Sequence, residues 1–447
     1  MLSARRIALL GDGQASVGRH DGDPALAHKT IAEWRSASHI RHIRRSITWG
    51  ASLLALATLA AGPAQAQDAE PEGAEPEVGF EPGRGFRLTS ADGRFELTTE
   101  VRGQIAYELR GTEGGPWQHQ AQIRRARASF AGHTFDPDVR YSLEIALSPA
   151  DVGISRSITE EGPTRSPLLD FYVQFTHLRD LQLRVGQYKI PSNRQRVTSS
   201  GDLQLVDRSI LNAELTLDRD VGFDLRSPDF LGLGKLRYYA GLYIGRGRGA
   251  RGLDEPSVLA LARIEILPLG LFDDYPEVDF ERGPPRLSIG LGYAYLENGR
   301  RDRGILGEIP TDEGTTDSHH VYADLVFKWR GFSALVEASL RQGHRDPGGA
   351  TDPMGNLLPV SDPRDGVGAN VQAGFLFPGV PFELAGRYAL IRDLGQSSMT
   401  DRNELTVGAS YYPGRHPYKI QLDYSRLWSD TIDRGDHRLR VQLQVSL

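Results

Sequence analysis

The sequence predicts an all-β protein: a transmembrane antiparallel β-barrel of about 16 strands, with long external loops and mostly short periplasmic turns. Three observations support this fold class. Apolar and charged residues alternate with a period of two from about Gly93 to Leu447. The connections between the alternating segments are long and short in turn. Finally, the mean hydropathy is −0.39 with 25% charged residues, which excludes a helical membrane bundle but suits strands that face water on one side.

The first alternating segment, 94–110, shows how strongly the two faces differ. Phe95 and Ile105 share one face, whereas Glu96 and Arg102 share the other, because successive side chains of a strand point to opposite sides. A soluble sandwich rarely carries many strands of this kind. A membrane barrel requires them, since lipid covers its outside and water fills its inside.

Sixteen such segments follow one another, each of about the length that a tilted membrane strand needs. We expect the last to close the barrel against the first, because an open edge in lipid would leave backbone groups unpaired. The segments are 94–110, 121–133, 138–148, 168–177, 180–188, 218–226, 234–244, 258–266, 286–296, 319–329, 331–342, 367–377, 381–392, 402–412, 416–427 and 437–447.

Charged residues within the segments assign the faces. A Lys or Arg that faces lipid at the bilayer centre costs ~2–4 kcal/mol, so these side chains must point inward and their apolar neighbours must face lipid. Arg124 and Arg426 break the parity, but both lie near strand ends, where Arg426 can reach the interface. The expected inward residues are Lys328, Glu337, Arg387, Asp423 and Arg440, and the expected outward residues are Phe327, Val336, Tyr388, Leu422 and Val441.

The lengths of the connections indicate the orientation. The turn at Arg330 is nearly minimal, whereas the connections 148–168 and 188–218 are long. Bacterial outer-membrane barrels have short periplasmic turns and long external loops. The connection 267–285 departs from this rule, because it should be periplasmic but has 19 residues. Either it contains a further strand or the turn is elaborated.

The N-terminal region has the pattern of an export signal. Arg41, Arg44 and Arg45 precede an uncharged apolar run at 47–62, and a small-residue cleavage pattern follows that ends at Ala66. The run is short for a membrane anchor. We therefore expect a cleaved signal peptide, and export to the bacterial outer membrane.

Three regions follow along the chain. Residues 1–66 form the leader, 67–92 an acidic linker that we expect to be disordered, and 93–447 the barrel. The leader holds eight Lys or Arg and four Asp or Glu, so 44 basic and 54 acidic residues remain, a net charge of −10. This balance excludes nucleic acid as a partner. The absence of cysteine excludes disulfides and Cys-ligated metals.

Basic residues of inward parity could carry ion selectivity, because anion channels place Arg and Lys at their constriction. Arg suits phosphate, since its planar fork donates two hydrogen bonds to two oxygens. The inward candidates are Arg94, Arg102, Arg125, Arg127, Arg140, Arg184, Arg237, Arg263, Arg387 and Arg440, and the connection 188–218 adds Lys189, Arg194, Arg196 and Arg208.

Several stretches of the barrel region carry recognisable motifs. They are Arg124-Arg125-Ala126-Arg127 with Phe130-Ala131-Gly132; Leu183-Arg184-Val185-Gly186-Gln187-Tyr188-Lys189-Ile190-Pro191; Arg219-Asp220-Val221-Gly222-Phe223; Leu405-Thr406-Val407-Gly408-Ala409-Ser410-Tyr411-Tyr412; and Ile420-Gln421-Leu422-Asp423-Tyr424-Ser425. The chain resembles, over roughly 93–447, the phosphate-selective porin O and P family of outer-membrane channels, and the second motif is the most specific.

This resemblance implies a sixteen-stranded barrel, commonly a homotrimer in outer-membrane lipid, that passes small anions such as phosphate. It also implies that the third external loop, which corresponds to 188–218, folds into the lumen. The resemblance assigns a constriction role to Lys189, Arg194 and Arg196, and a lumen role to Arg125, Arg127 and Arg184. Our leading hypothesis is therefore a passive diffusion channel that favours anions.

Other readings of the same pattern remain open. Inward parity also carries many carboxylates, which fits a weakly selective porin whose Arg–carboxylate pairs brace the wall. A barrel enzyme and a plugged structural barrel are further alternatives. The sequence contains no nucleophile motif and no metal-ligand spacing, so we expect no catalytic residue, no metal and no cofactor.

The segment Gly245-Arg246-Gly247-Arg248-Gly249 is glycine-rich and basic. A nucleotide-binding loop of this composition would have a strand before it and a helix after it, but no helical pattern follows. We expect a flexible basic loop that can contribute to an anion-attracting vestibule.

Overall fold

Sixteen antiparallel strands close into a barrel, which confirms the fold class predicted from the sequence. The computed structural model describes residues 75–152, 166–249, 256–429 and 432–447. After a hairpin of β1 (Glu77–Glu81) and β2 (Gly85–Thr89), the barrel strands are β3 (Glu96–Thr112), β4 (Gln118–Thr134), β5 (Asp136–Ala146), β6 (Leu168–Phe175), β7 (Gln182–Lys189), β8 (Arg219–Ser227), β9 (Leu236–Tyr243), β10 (Val258–Ile266), β11 (Arg286–Gly299), β12 (Thr315–Trp329), β13 (Phe332–Asp346), β14 (Gly366–Leu376), β15 (Phe382–Asp393), β16 (Arg402–Gly414), β17 (Tyr418–Ser429) and β18 (Ile432–Ser446).

Each barrel strand pairs with the next along the chain, and β18 pairs with β3 so that Leu439 lies opposite Leu109. The connections hold a 3-10 turn, Phe230–Gly232, and three short helices: α1 (Pro149–Val152), α2 (Arg194–Val197) and α3 (Ile210–Leu215). None of the helices in the described ranges is long and apolar enough to cross a membrane. The predicted leader, 1–66, lies outside the described residues.

The two faces of the barrel wall follow the predicted parity. The five charged residues expected to point inward are buried, and each is 1–5% exposed. Their neighbours Val336, Tyr388, Leu422 and Val441 are 38–45% exposed on the outer face. The wall therefore presents apolar side chains outward and polar side chains inward, which is the arrangement that a hydrocarbon surrounding requires.

This face assignment predicts the effect of a charge on the outer surface. Leu422→Arg should lower the free energy of unfolding in lipid vesicles by ~2–4 kcal/mol, because Leu422 lies in the middle of β17 on the lipid side. Val380→Arg, in a periplasmic turn, should cost at most about 1 kcal/mol. Equal losses at the two positions would contradict the assignment.

The range 67–92, expected to be a disordered linker, instead contains the hairpin β1–β2 in its described part. Phe80 packs on Phe86 with ring centroids 4.7 Å apart, and Leu88 pairs with Leu97 of β3. The last strand, β18, pairs with residues 102–112 of β3 and does not extend to the first residues of β3. The periplasmic end of β3 would otherwise be an unpaired edge, and β2 covers it.

The periplasmic connections divide into two kinds. Arg330 and Gly331 make a two-residue turn with φ of +50° and +94°, the left-handed pair that a tight hairpin of type I′ requires. Residues 267–285, in contrast, contain no strand and turn into the lumen, where Lys328 of β12 donates to the Asp273 carbonyl at 2.9 Å. We call this segment the inner turn. Of the two explanations left open by the sequence, the elaborated turn is the one found.

Candidate ion pathway

The third external connection, residues 190–218, folds into the lumen and is here called the inner loop. Its helix α3 begins at Ser209, whose hydroxyl accepts the Asn212 N–H at 3.3 Å. Leu211 and Leu215 of α3 then pack against Ile391 and Met399 at the barrel wall. A cap and two apolar contacts therefore fix the loop at its external end.

Inward carboxylates of the opposite wall hold the rest of the inner loop. They accept hydrogen bonds from its backbone N–H groups and from side-chain donors, which satisfies polar groups that would otherwise be buried without partners. The contacts are Asp324 with Arg194 Nε (3.1 Å), Glu337 with Gln195 N (2.8 Å), Glu383 with Gln204 Nε2 (2.7 Å), Asp423 with Val206 N (3.0 Å) and Glu404 with Ile210 N (2.8 Å). The acidic side of the barrel, β12 to β17, is thus occupied by the loop.

The inner turn meets the inner loop within the lumen. Asp274 accepts a hydrogen bond from Arg194 Nη1 at 2.8 Å, and the Glu277 carboxylate accepts one from Gln204 N at 2.8 Å. The Tyr275 carbonyl accepts the Thr198 hydroxyl at 3.0 Å. Two segments that enter from opposite ends of the barrel therefore support each other.

Between the inner loop and the wall of β4, β7 and β8 lies a cavity of about 560 Å³, here called the basic cavity. Eleven basic and three acidic side chains line it, a formal excess of eight positive charges. The basic residues are Arg124, Arg125, Arg127, Lys189, Arg196, Arg208, Arg219, Arg246, Arg248, Arg301 and Arg303, and the acidic residues are Asp151, Asp218 and Glu308.

Five of the seven predicted site residues line this cavity, and two of these five have no salt bridge in the described ranges. Lys189 Nζ donates to the carbonyls of Val197 and Thr198, both at 3.2 Å. Arg208 donates to the carbonyls of Gln195 and Thr198, both at 2.7 Å. Backbone carbonyls orient these two cations, and the carboxylates near them, such as Asp170 and Asp207, act on them only at longer range than a salt bridge.

The other three lining residues that were predicted are ion-paired. Arg125 binds Asp207 at 3.0 Å, and Arg127 binds Asp151 at 2.6 Å. The third, Arg196, donates from Nε to Asp218 at 2.7 Å. The carboxylate partners balance part of the positive charge of the cavity.

Two of the predicted residues lie elsewhere. Arg194, in α2 of the inner loop, is 1% exposed and points away from the basic cavity, toward Glu265, Asp274 and Asp324 at 2.8–3.2 Å. Arg184 lies on the inner wall in a second cavity of about 650 Å³ near the periplasmic turns. Its guanidinium stacks 4.1 Å from the Tyr172 ring centre.

Charged groups of the inner loop perturb each other strongly. Burial alone would raise the pKa of Asp207, but the guanidinium groups of Arg125 and Arg124 outweigh it and hold the pKa well below the usual value. Burial and the neighbouring cations Arg196 and Arg125 lower the pKa of Arg208 far below its usual value. An anion in the cavity would relieve this repulsion.

A β-bulge brings Arg124 into the site, which the sequence parity did not predict. Gln104 pairs with Arg125 and Ile105 with Ile123, so Arg124 is the extra residue of β4. Its side chain turns inward and binds Asp207 at 2.7 Å. Bulges re-aim side chains in this way, and the parity break at Arg124 was the signal that could have revealed it.

The remaining lining residues were also missed as site residues. Arg219 belongs to a quoted motif and binds Asp170 at 2.8 Å, and Arg246 and Arg248 belong to the glycine-rich segment. Arg301 and Arg303 lie in the connection between β11 and β12, where no pattern marked them.

One group of possible metal ligands occurs in the described ranges: Asp136, Asp138 and His177, whose ligand atoms lie within 4.8 Å of one another at the periplasmic turns.

Comparisons with known proteins find matches to the fold and to part of the sequence. No curated protein matches the chain in sequence. Among solved structures, the fold is similar to an anion-selective porin from Comamonas acidovorans, with 12% identity, 78% of this chain and 100% of that chain covered, and a TM-score of 0.50. OpdL of Pseudomonas aeruginosa (13%, 78% and 98%, TM-score 0.41) and OmpT of Vibrio cholerae with loop L8 deleted (12%, 78% and 99%, TM-score 0.46) also match.

Residues 98–245 match the family described as phosphate-selective porin O and P. This range includes β3 to β9, the inner loop and most residues of the basic cavity wall. The family resemblance predicted from the motifs is therefore confirmed over this range, and the whole barrel has the sixteen-stranded fold of an outer-membrane porin.

Proposed function

We propose that this channel is a passive diffusion pore that favours anions, phosphate among them. The observation that carries the proposal is the basic cavity, with eight more basic than acidic side chains around it. Fixed positive charge around a narrow aqueous space concentrates anions and repels cations. The low dielectric constant of the surrounding protein strengthens both effects.

The division of charge within the lumen supports this direction of selectivity. Inward carboxylates are abundant, but those on β12 to β17 bind the inner loop or its arginine. The wall of β4, β7 and β8 on the other side supplies Arg125, Lys189 and Arg219 to the open space. An ion that passes between the loop and this wall meets mainly guanidinium and ammonium groups.

Phosphate suits the donors that face the cavity. Arginine offers two parallel N–H groups to two phosphate oxygens, and Lys189 and Arg208, which form no salt bridge in the described ranges, gain most from a divalent anion. We expect millimolar phosphate added to a chloride solution to reduce single-channel chloride current in a planar bilayer. Unchanged chloride current at high phosphate would count against a phosphate site in this cavity.

A weakly selective porin is the second candidate. The ion pairs of Arg125, Arg127, Arg196 and Arg219 favour it, because paired arginines brace a wall without attracting anions. In that case the channel would conduct potassium and chloride about equally and phosphate would compete only weakly. The two candidates differ in whether the positive charge of Lys189 and Arg208 outweighs the negative charge of the nearby carboxylates.

Assembly and export are also proposals. A homotrimer in outer-membrane lipid and cleavage after Ala66 follow from the family resemblance and the N-terminal pattern. The mass of the detergent-solubilised protein tests the first, and N-terminal sequencing of protein from outer membranes tests the second. An N-terminus other than Gln67 would contradict the cleavage site.

A further inference from the structure

In the glycine-rich segment Gly245–Gly249, between β9 and β10, the backbone φ angle alternates in sign from one residue to the next. Gly245, Gly247 and Gly249 have φ of +75°, +79° and +67°, whereas Arg246 and Arg248 between them keep negative φ. Such alternation can turn N–H groups toward one side of the chain and form a concavity that binds anions. A side chain is not tolerated there: a Cβ on Gly247 would lie 2.7 Å from the Ile305 carbonyl oxygen.

The anion in this concavity is a side chain of the barrel wall. Asp220 of β8 is fully buried and accepts the Gly245 N–H at 2.6 Å and the Gly247 N–H at 3.2 Å. Gln187 of β7 accepts the third glycine N–H, that of Gly249, at 2.8 Å. Asp220 forms no salt bridge with a Lys or Arg of the described residues, so backbone N–H groups are the donors that hold its carboxyl group in place.

This arrangement places the two arginines of the segment at the basic cavity. Arg246 and Arg248 line it beside Arg301 and Arg303, which come from the next external connection. The second arginine of the segment, Arg248, donates to the Val152 carbonyl at 3.1 Å, a partner that orients it without cancelling its charge. Because all four come from external loops, they lie where an anion from outside first enters the cavity.

We propose that Asp220 is a positioning residue for anion capture: it fills the backbone concavity of Gly245–Gly249 and thereby holds Arg246 and Arg248 at the external mouth of the basic cavity. There the two arginines set the rate at which oxyanions such as inorganic phosphate enter from outside. The inference rests on the proposed anion channel and assigns it an outer capture site, separate from Lys189 and Arg208.

The sign of the effect separates this role from simple electrostatics. Asp220→Ala removes an acidic side chain beside a cationic cavity, so Coulomb's law alone predicts anion capture at least as fast as in the wild type. Loss of positioning predicts slower capture, because the freed segment no longer presents its arginines to the solution. The two explanations therefore differ in whether the same rate constant falls.

The test measures the rate of block of single-channel chloride current by inorganic phosphate added to one side of the bilayer at a time. In Asp220→Ala we expect the rate constant from the external side to fall about tenfold, within the range of electrostatic steering. The rate constant from the periplasmic side should be unchanged. Asp352→Ala is the matched control, because Asp352 caps the N–H groups of Met354 and Asn356 in another external loop.

Two further variants test the proposal even if Asp220→Ala fails to fold. The double variant Arg246→Gln with Arg248→Gln should reproduce the external defect, and adding Asp220→Ala to it should have little further effect. Asp220→Asn, which keeps one acceptor oxygen, should give an intermediate rate. The proposal is overturned if the Asp220 variants capture external phosphate as fast as the wild type or faster. Absence of phosphate block in the wild type would instead refute the proposed function.

Discussion

Replacing Lys189 and Arg208 together by glutamine should weaken phosphate binding in the pore by at least about tenfold. These two cations face the basic cavity with only backbone carbonyls as partners. A unit charge at about 8 Å contributes ~2 kcal/mol at an effective dielectric constant of about 20, before ionic screening. Glutamine can still donate to the same carbonyls, so the inner loop should keep its place.

The measurement is the phosphate concentration that halves single-channel chloride current, compared between this double variant and the wild type. Arg179→Gln is the control, since Arg179 lies in a periplasmic turn and pairs with Asp180 at the surface. A double variant as sensitive to phosphate as the wild type would show that the selectivity of the channel does not arise at Lys189 and Arg208.

Replacing Arg194 by alanine should loosen the inner loop. Arg194 is 1% exposed, lies 4.5 Å from the Tyr275 ring centre, and binds Glu265, Asp274 and Asp324. Its loss leaves these buried carboxylates with Arg237 and Arg263 as their remaining salt-bridge partners, so the cost should be at most the about 3–5 kcal/mol that is typical of a buried charge left without any partner. We expect a lower free energy of unfolding in vesicles, and larger and noisier single-channel conductance.

The contrast with an exposed pair makes this prediction specific. Arg415 binds Glu281 at 3.4 Å, but both side chains are more than 60% exposed, so Arg415→Ala should cost at most about 1 kcal/mol and leave the conductance unchanged. If Arg194→Ala kept the stability and conductance of the wild type, the inner loop would not depend on this ion-pair cluster.

The strand pattern could be predicted because one rule governs it. In a wall between lipid and water, each residue is exposed to one medium or the other, so alternation along the sequence encodes the fold directly. The segment predicted at 258–266 matches β10 at both ends, and Asp423 and Leu422 lie on the faces assigned to them. The hairpin β1–β2 was not predicted. Its alternation is short and lies in an acidic segment, and it pairs with β3, which no local pattern indicates.

The site could be predicted only in part, because it depends on pairing between distant segments. The sequence identified Arg125, Arg127, Arg196 and Arg208 as lumen or loop residues, but it could not distinguish cations with a carboxylate partner from those without one. The partners of Arg194 come from β10, β12 and the inner turn, and no local pattern links those segments. The inward turn of Arg124 likewise depends on the register of β3 against β4.

The central claim is that the basic cavity makes this channel prefer anions. It is tested most directly by the zero-current potential of the purified protein in a planar bilayer with a gradient of potassium chloride across it. The cavity lining predicts a potential that lies toward the equilibrium potential of chloride. A potential toward that of potassium would contradict the claim.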